Sequence, residues 1–329
     1  MITDTKIRII GYLRTNGQAR VKDLVEHLGI GNVAVHRHLK SLVESGKLVK
    51  AGVVPKIFYR LAPDALDQKT IRAGDINVLL DKYYAYVDPV GRLLVGMAGF
   101  EAWAQNVSKS NQVESLLVRY AKDREEIGRF ITPFGWIEGT RNVSQTFGID
   151  MNLDGVFYLD FYSLPTFGKT RLGSFMLYAK QSENKELIWQ TADESAKIIH
   201  KLIQHLAIDA IGYLPHSILR KTQFLKEFSK RLNLRLPNID LVKAYPGKIR
   251  VAQKTLGKLE ERIKNARETI FVDDSAARYG RVLLIDDAVG SGATLNETAR
   301  KLKQMGIAKK VFGFAVVGSL KGFEVIREV

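Results

Sequence analysis

Apolar residues recur along this chain in two rhythms, and the rhythm changes near the middle. Over residues 4–15, Ile7, Ile9, Ile10 and Leu13 predict a first helix. "VKDLVEHL" (21–28) predicts a short second helix ended by Gly29. "NVAVHRHLKSLVES" (32–45) predicts a third, ended by Gly46. Val35, Leu39, Leu42 and Val43 share one face of that helix, and Asn32, Val33, His36, Arg37 and Lys40 lie opposite. "KLVK" and "KIFYRL" predict two strands joined by AGVVP, and LAPDALDQK (61–69) predicts a linker. "YYAYVDPVGRLLVGM" (83–97) predicts a hairpin turning at Asp88, Pro89, Val90 and Gly91. "GFEAWAQNV" and "QVESLLVRYAKDREEIGRFI" predict helices, with Phe100, Trp103, Leu116, Leu117 and Tyr120 as core and no chemistry of their own.

From about residue 155 the pattern becomes an α/β alternation. "GVFYLDFY", "DAIGYLP", "IDLVKAY", "TIFVDD", "RVLLIDD" and "KVFGFAVVGS" predict strands. "DESAKIIHKLIQHL", "KTQFLKEFSKRL" and "NETARKLKQM" predict helices, which implies a parallel sheet flanked by helices. Three domains are expected: residues 1–62, a middle connecting or dimerisation segment at 63–150, and an α/β domain at 151–329.

One stretch, "RVLLIDDAVGSGATL" (281–295), concentrates polar chemistry at the end of a buried strand. Val282, Leu283, Leu284 and Ile285 run straight into Asp286 and Asp287. Ligands of open α/β sheets bind beyond the carboxyl ends of the strands. Gly290 and Gly292 permit close backbone approach, Ser291 and Thr294 supply hydroxyls, and the start of the following helix, through Ala293, favours an oxyanion. Bare carboxylates beside a phosphate would repel it, so Asp286 and Asp287 need another partner. Vicinal ribose hydroxyls or Mg²⁺, held directly or indirectly, would supply one. The parts together describe a site for a ribose 5-phosphate.

Composition adds a second partner class. The 329 residues carry a formal charge of +15, and residues 1–62 hold 11 Lys/Arg against 4 Asp/Glu. A basic excess of this size suggests a polyanionic partner, most simply nucleic acid. There is no cysteine, which excludes disulfides and Cys-based zinc sites and suits a cytoplasmic location. His200 and His205, or His36 and His38, have the wrong spacing for a shared metal on a helix. MITDTKIRII lacks the form of a signal peptide, and no apolar run reaches the length of a membrane span. "FGKTRLG" (167–173) lacks the first glycine of a phosphate-binding P-loop, because Ser163 stands there.

Two resemblances sharpen this picture. LVEHLGIGNVAVHRHLKSLVESGKLVK resembles the winged helix-turn-helix of many bacterial regulators, over about residues 1–62. That resemblance implies duplex DNA as a partner, with Asn32, His36, Arg37 and Lys40 on the third helix toward bases or phosphates and Lys50, Lys56 and Arg60 on the wing toward phosphates. VLLI-DD-AV-GSGAT resembles the phosphoribosyl pyrophosphate (PRPP) motif of type I phosphoribosyltransferases, with Gly290 where that family often has Thr. Upstream, Gln253, Leu256, Glu261, Arg262 and Asn265 resemble a pattern of the ComF-like phosphoribosyltransferases, as do "RLGSFMLYAKQ" and "IGYLPHS", over roughly 155–329. The zinc ribbon often found in ComF relatives has no counterpart here.

The resemblance implies that Asp286 and Asp287 hold the ribose hydroxyls, directly or through Mg²⁺. It implies that Gly290, Ser291, Gly292, Ala293 and Thr294 cradle the 5-phosphate. Leu214, Pro215, His216 and Ser217 would lie near the pyrophosphate, and Lys254, Lys258 and Arg262 would belong to a mobile lid. Three functions compete: a phosphoribosyltransferase using PRPP and Mg²⁺, a regulator sensing PRPP or a nucleotide, and a defence or toxin-like effector acting on nucleotides. Purine-type repressors that join a winged helix to this fold are the analogy for the second. A homodimer is among the expected assemblies.

Overall fold

The structure, a computed structural model, describes residues 4–53, 56–62, 73–244, 258–273 and 275–320. The chain divides into two compact units, residues 1–81 with 96–126, and residues 82–95 with 127–329. Residues 63–150 are therefore shared between the units. The expected linker falls mostly on residues 63–72, outside those described.

The first unit opens with α1 (Asp4–Asn16), β1 (Gln18–Ala19), α2 (Val21–Leu28) and α3 (Asn32–Glu44). Strands β2 (Leu48–Val53) and β3 (Lys56–Leu61) follow, and β1 joins them in a three-stranded antiparallel sheet. Gly29 ends α2 in the left-handed conformation, φ 67°, with its N–H donating to the Val25 carbonyl. Glycine takes that conformation without steric cost. Ile9, Leu13, Leu24, Val35, Leu39, Leu42, Leu48 and Leu61 form one buried cluster. Burial of each side chain contributes roughly 1.5–3 kcal/mol against unfolding before entropy is charged. The polar face of α3 is thereby left outside.

Helix α4 (Ala73–Tyr83) leads to the hairpin β4 (Ala85–Val87) and β5 (Leu93–Val95), which belongs to the second unit. Asp88 fixes its turn by accepting the N–H groups of Val90 and Arg92. Helices α5 (Gly96–Asn106) and α6 (Val113–Gly128) return to the first unit, where Phe100 packs on Trp103 and Tyr120.

The second unit continues with β6 (Ile137–Glu138), α7 (Thr140–Phe147), β7 (Gly155–Phe161) and the small ribbon β8 (Ser163–Leu164) and β9 (Gly168–Lys169). Then come α8 (Arg171–Ser182), α9 (Lys185–Leu206), β10 (Ala210–Tyr213), α10 (Phe224–Leu232) and β11 (Leu241–Lys243). The described chain closes with α11 (Leu259–Thr269), β12 (Ile270–Val272), β13 (Tyr279–Val289), α12 (Ala293–Gln304) and β14 (Ala308–Gly318). The central sheet has the order β10-β13-β14-β7-β6, parallel except for the edge strand β6.

Val282 to Ile285 are fully buried, as strands covered on both faces require. Leu283 and Ile285 join Phe312 and Phe314 in a core with residues of α8, α9 and α10. On the opposite face Gly313 admits Leu295 of α12, whose Cδ1 lies 3.1 Å from where a Cβ would stand. Side chains cap the first two of these helices. Thr170 accepts the Gly173 N–H ahead of α8, and Asn184 accepts the Leu187 N–H ahead of α9.

Two of the six predicted strands leave the parallel sheet. IDLVKAY and TIFVDD supply β11 and β12, which pair antiparallel with each other in a separate ribbon. The reason is one-sided burial: Ile270 is buried, whereas Phe271 and Val242 are more than half exposed. A strand of that kind suits a ribbon with one wet face and not the interior of a parallel sheet.

Candidate functional site

The site forms where one strand outruns its neighbour. Tyr213, the last residue of β10, pairs with Ile285. Beyond that point β13 continues into Asp286 and Asp287 with no β10 partner, while β14 still pairs with it through Ala315. The open edge becomes one wall of a cavity of about 350 Å³. Its lining includes Asp286 to Leu295, the Leu214–Ser217 loop, Lys180 and Arg262. That volume lies at the small end of ligand pockets.

The two acids are set differently. Asp286 accepts the N–H of Asp287 through Oδ1 at 2.8 Å. Burial, and then the charge of Asp287, push its carboxyl well above the usual carboxylate range. Asp287 Oδ2 lies 2.6 Å from the Nζ of Lys180, a buried lysine at the end of α8. Lys243, at the end of β11, donates to Ser217 Oγ at 2.7 Å. Its burial lowers the ammonium pKa to about 8, against the upward pull of Asp286.

The loop that follows turns into α12. Gly292 precedes that helix at φ 76°, and its carbonyl accepts the Asn296 N–H at 2.8 Å, closing the first turn. Gly290 to Thr294 all line the cavity, with Ser291 and Ala293 almost fully buried. The N–H groups at the start of α12 and the Ser291 and Thr294 hydroxyls supply donors for an anion. A side chain at Gly292 would place Cβ 2.8 Å from Val143 Cγ1 in addition to the left-handed strain. Gly292→Ala should therefore lower unfolding stability by about 1–3 kcal/mol in urea titration, and weaken anion binding at the loop.

Helix α12 is clamped from behind. Glu297, buried, receives Arg267 of α11 at 3.0 and 3.2 Å and Arg300 at 2.9 Å. The clamp fixes the helix that carries the loop.

The expected lid is divided. Gln253, Lys254 and Leu256 lie outside the described residues. Lys258 is exposed, caps α11 and is not among the cavity residues. Arg262 departs from expectation: it is buried in the first turn of α11 and lines the cavity. A buried helical arginine belongs to the wall of the site and not to a moving lid. Glu261 is exposed on the same turn and Asn265 is half-buried. In the other predicted loop Leu214 is buried, its N–H donating to the Ile285 carbonyl, Pro215 and Ser217 are half-buried and His216 is exposed.

Lys180, Lys243, Arg220, Gln223 and Lys226 escaped the sequence reading, and all but Lys243 line the cavity. Lys180 had a legible signal, since it falls on the buried face of α8 with Phe175, Met176 and Ala179. A lysine on an apolar face is seldom buried without a partner.

In the first unit Asn32, His36, Arg37 and Lys40 are exposed on one face of α3, and Lys40 also approaches Glu44 at 3.9 Å. Lys50 and Arg60 are exposed on β2 and β3, and the side chain of Lys56 lies outside the described atoms. Among the described residues no group of three or more His, Cys, Asp or Glu is arranged to hold a metal, and no helix is long and apolar enough to cross a membrane.

Residues 3–54 match the family model of the bacterial regulatory proteins of the ArsR family. No curated protein matches the chain. Among solved structures, an adenine phosphoribosyltransferase is 18% identical, with 46% of this chain and 81% of that one covered at a TM-score of 0.29. A hypoxanthine phosphoribosyltransferase from Staphylococcus aureus is 18% identical over 40% of this chain and 63% of its own, with a TM-score of 0.25. The adenine phosphoribosyltransferase of Leishmania tarentolae is 14% identical over 56% and 90%, also at 0.25. Residues 3–54 thus form a helix-turn-helix of the ArsR type, a DNA-binding class of segment.

Proposed function

We propose that the second unit binds the ribose 5-phosphate portion of PRPP or of a nucleotide, and that the first unit brings it to duplex DNA. One observation carries the first half. The paired acids stand at the open end of a central parallel strand, in one cavity with the GSGAT turn. The turn takes the 5-phosphate, and Asp286 and Asp287 take the ribose hydroxyls. The Leu214–Ser217 loop and Arg262 face the diphosphate. Transfer of the phosphoribosyl group to a nucleobase, in the manner of a ComF-like phosphoribosyltransferase, is the leading chemistry. A PRPP- or nucleotide-sensing regulator is the second reading, favoured by the ArsR-type segment.

Magnesium fits this arrangement in one way. Two carboxylates with, among the described residues, no third acid or histidine placed to complete a metal site suit an ion that arrives on a diphosphate and keeps several of its waters. When bound, it would neutralise diphosphate charge. The residues of the chain do the remaining work: they fix the phosphate, orient the ribose and line the cavity. PRPP with Mg²⁺ should raise the Tm of the full chain, whereas pyrophosphate with Mg²⁺ should raise it less because it lacks the ribose and its 5-phosphate. Equal shifts from the two would refute a ribose 5-phosphate site.

The DNA half makes its own prediction. Binding of the full chain to duplex DNA should fall steeply with salt, because Arg37, Lys40, Lys50 and Arg60 release counterions from phosphates. Arg37→Ala should weaken binding at every salt concentration in an anisotropy titration. No binding at low salt would make the helix-turn-helix a protein-docking module.

A further inference from the structure

Lys180 is a charge buried where the fold has little use for it. It is 7% exposed, and a buried lysine–carboxylate pair contributes little net stability compared with apolar packing of the same volume. Its place beside the cavity calls for another explanation. The end of α8 that carries it is tied to the loop ahead of α10. Glu183, which follows that helix in the left-handed conformation, accepts the Thr222 N–H at 2.6 Å. The Lys180 ammonium stands 2.6 Å from Asp287 Oδ2 and 5.9 Å from the centroid of the Phe224 ring. An ammonium has three donors. The bond to Asp287 uses one, the face of Phe224 offers no lone pair, and the cavity is the direction from which further acceptors can come.

We propose that Lys180 is a ligand-binding residue. It is the resident counter-ion of Asp287, and it donates at the same time to an oxygen of the sugar phosphate. This rests on the ribose 5-phosphate reading and deepens it. The negative charge of the acid pair is offset by a side chain of the protein, so a ligand without a diphosphate binds without a divalent cation. The need for Mg²⁺ then belongs to the diphosphate and not to the aspartates.

The test is calorimetric titration of the full chain with ribose 5-phosphate, in EDTA and in Mg²⁺. The parent should bind equally in both. Lys180→Met should lose affinity in EDTA by about tenfold or more, the weight of a charged hydrogen bond, and should regain part of it when Mg²⁺ supplies the missing positive charge. Lys180→Gln, which keeps a donor without the charge, should fall between parent and Lys180→Met and serves as the folded variant if methionine destabilises the unit. A purely structural lysine would give a lower Tm with unchanged affinity in the folded variants, and that result overturns the proposal. So does a parent that needs Mg²⁺ to bind ribose 5-phosphate. If the parent binds neither ribose 5-phosphate nor PRPP, the underlying site reading fails as well. Binding by the parent with indifferent Lys180 variants removes this inference alone.

Discussion

Asparagine at both 286 and 287 should leave the second unit folded and abolish the rise in Tm that PRPP with Mg²⁺ gives the parent chain. A ligand present at a hundred times its Kd stabilises the native state by about 2.7 kcal/mol. In a domain of this size that corresponds to a shift of roughly 5–11 °C, well above the error of a thermal melt. The baseline of the variant will move too, because Asp287→Asn leaves the buried Lys180 ammonium without its carboxylate, and an uncompensated buried charge is costly. The informative quantity is therefore the shift caused by ligand, not the Tm itself. Circular dichroism of the free variant checks that the sheet persists. A variant that shifts as far as the parent would show that the acids neither hold the ribose nor meet a cation, and would move the phosphate site away from this strand end.

That pair of acids was legible before any coordinates, and the reason is local. A buried parallel strand, an acidic terminus and a glycine turn into a helix are all written in consecutive residues, and short-range sterics decide each of them. The three-helix module was legible on the same ground: Gly29 and Gly46 mark helix ends, and the apolar face of α3 keeps a strict period. What escaped was set by contacts distant in sequence. β11 and β12 look like buried strands, yet each hides only one face, and their pairing depends on a register between residues 241–243 and 270–272. Arg262 falls in a basic stretch that reads as a loop, but it turns inward from α11. Lys180 meets Asp287 across more than a hundred residues of chain, so no window in the sequence contains the pair. The hairpin at 85–95 is similarly placed by Ser174, whose hydroxyl donates to the Ala85 carbonyl at 2.8 Å.

Enzyme and regulator part company at the departure of pyrophosphate. In the transfer reaction the bond from the ribose C1 to the diphosphate oxygen breaks, and the diphosphate leaves with the electron pair. A bond from a base nitrogen to C1 forms, and the base gives up its proton. Negative charge grows on the leaving oxygen, so cations near it are worth more in the transition state than in the bound ground state. Lys254 and Lys258 precede Leu259, the first residue of α11, in the sequence, and Arg262 stands in the cavity wall. Lys254→Ala with Lys258→Ala keeps Arg262 in the chain. If the chain is an enzyme, the double substitution should lower turnover by about a hundredfold, the scale of one lost electrostatic contact to a transition state, and should weaken PRPP binding far less. A regulator has no such step, and the same changes would alter only ligand affinity and its effect on DNA. Pyrophosphate release from PRPP and Mg²⁺, across a panel of purine and pyrimidine bases, reads the difference. Release above the rate without protein, lost in the double variant while PRPP still binds, establishes transfer. Tight PRPP binding with no release for any base, together with a PRPP-dependent change in affinity for duplex DNA, establishes the regulator and overturns the transferase.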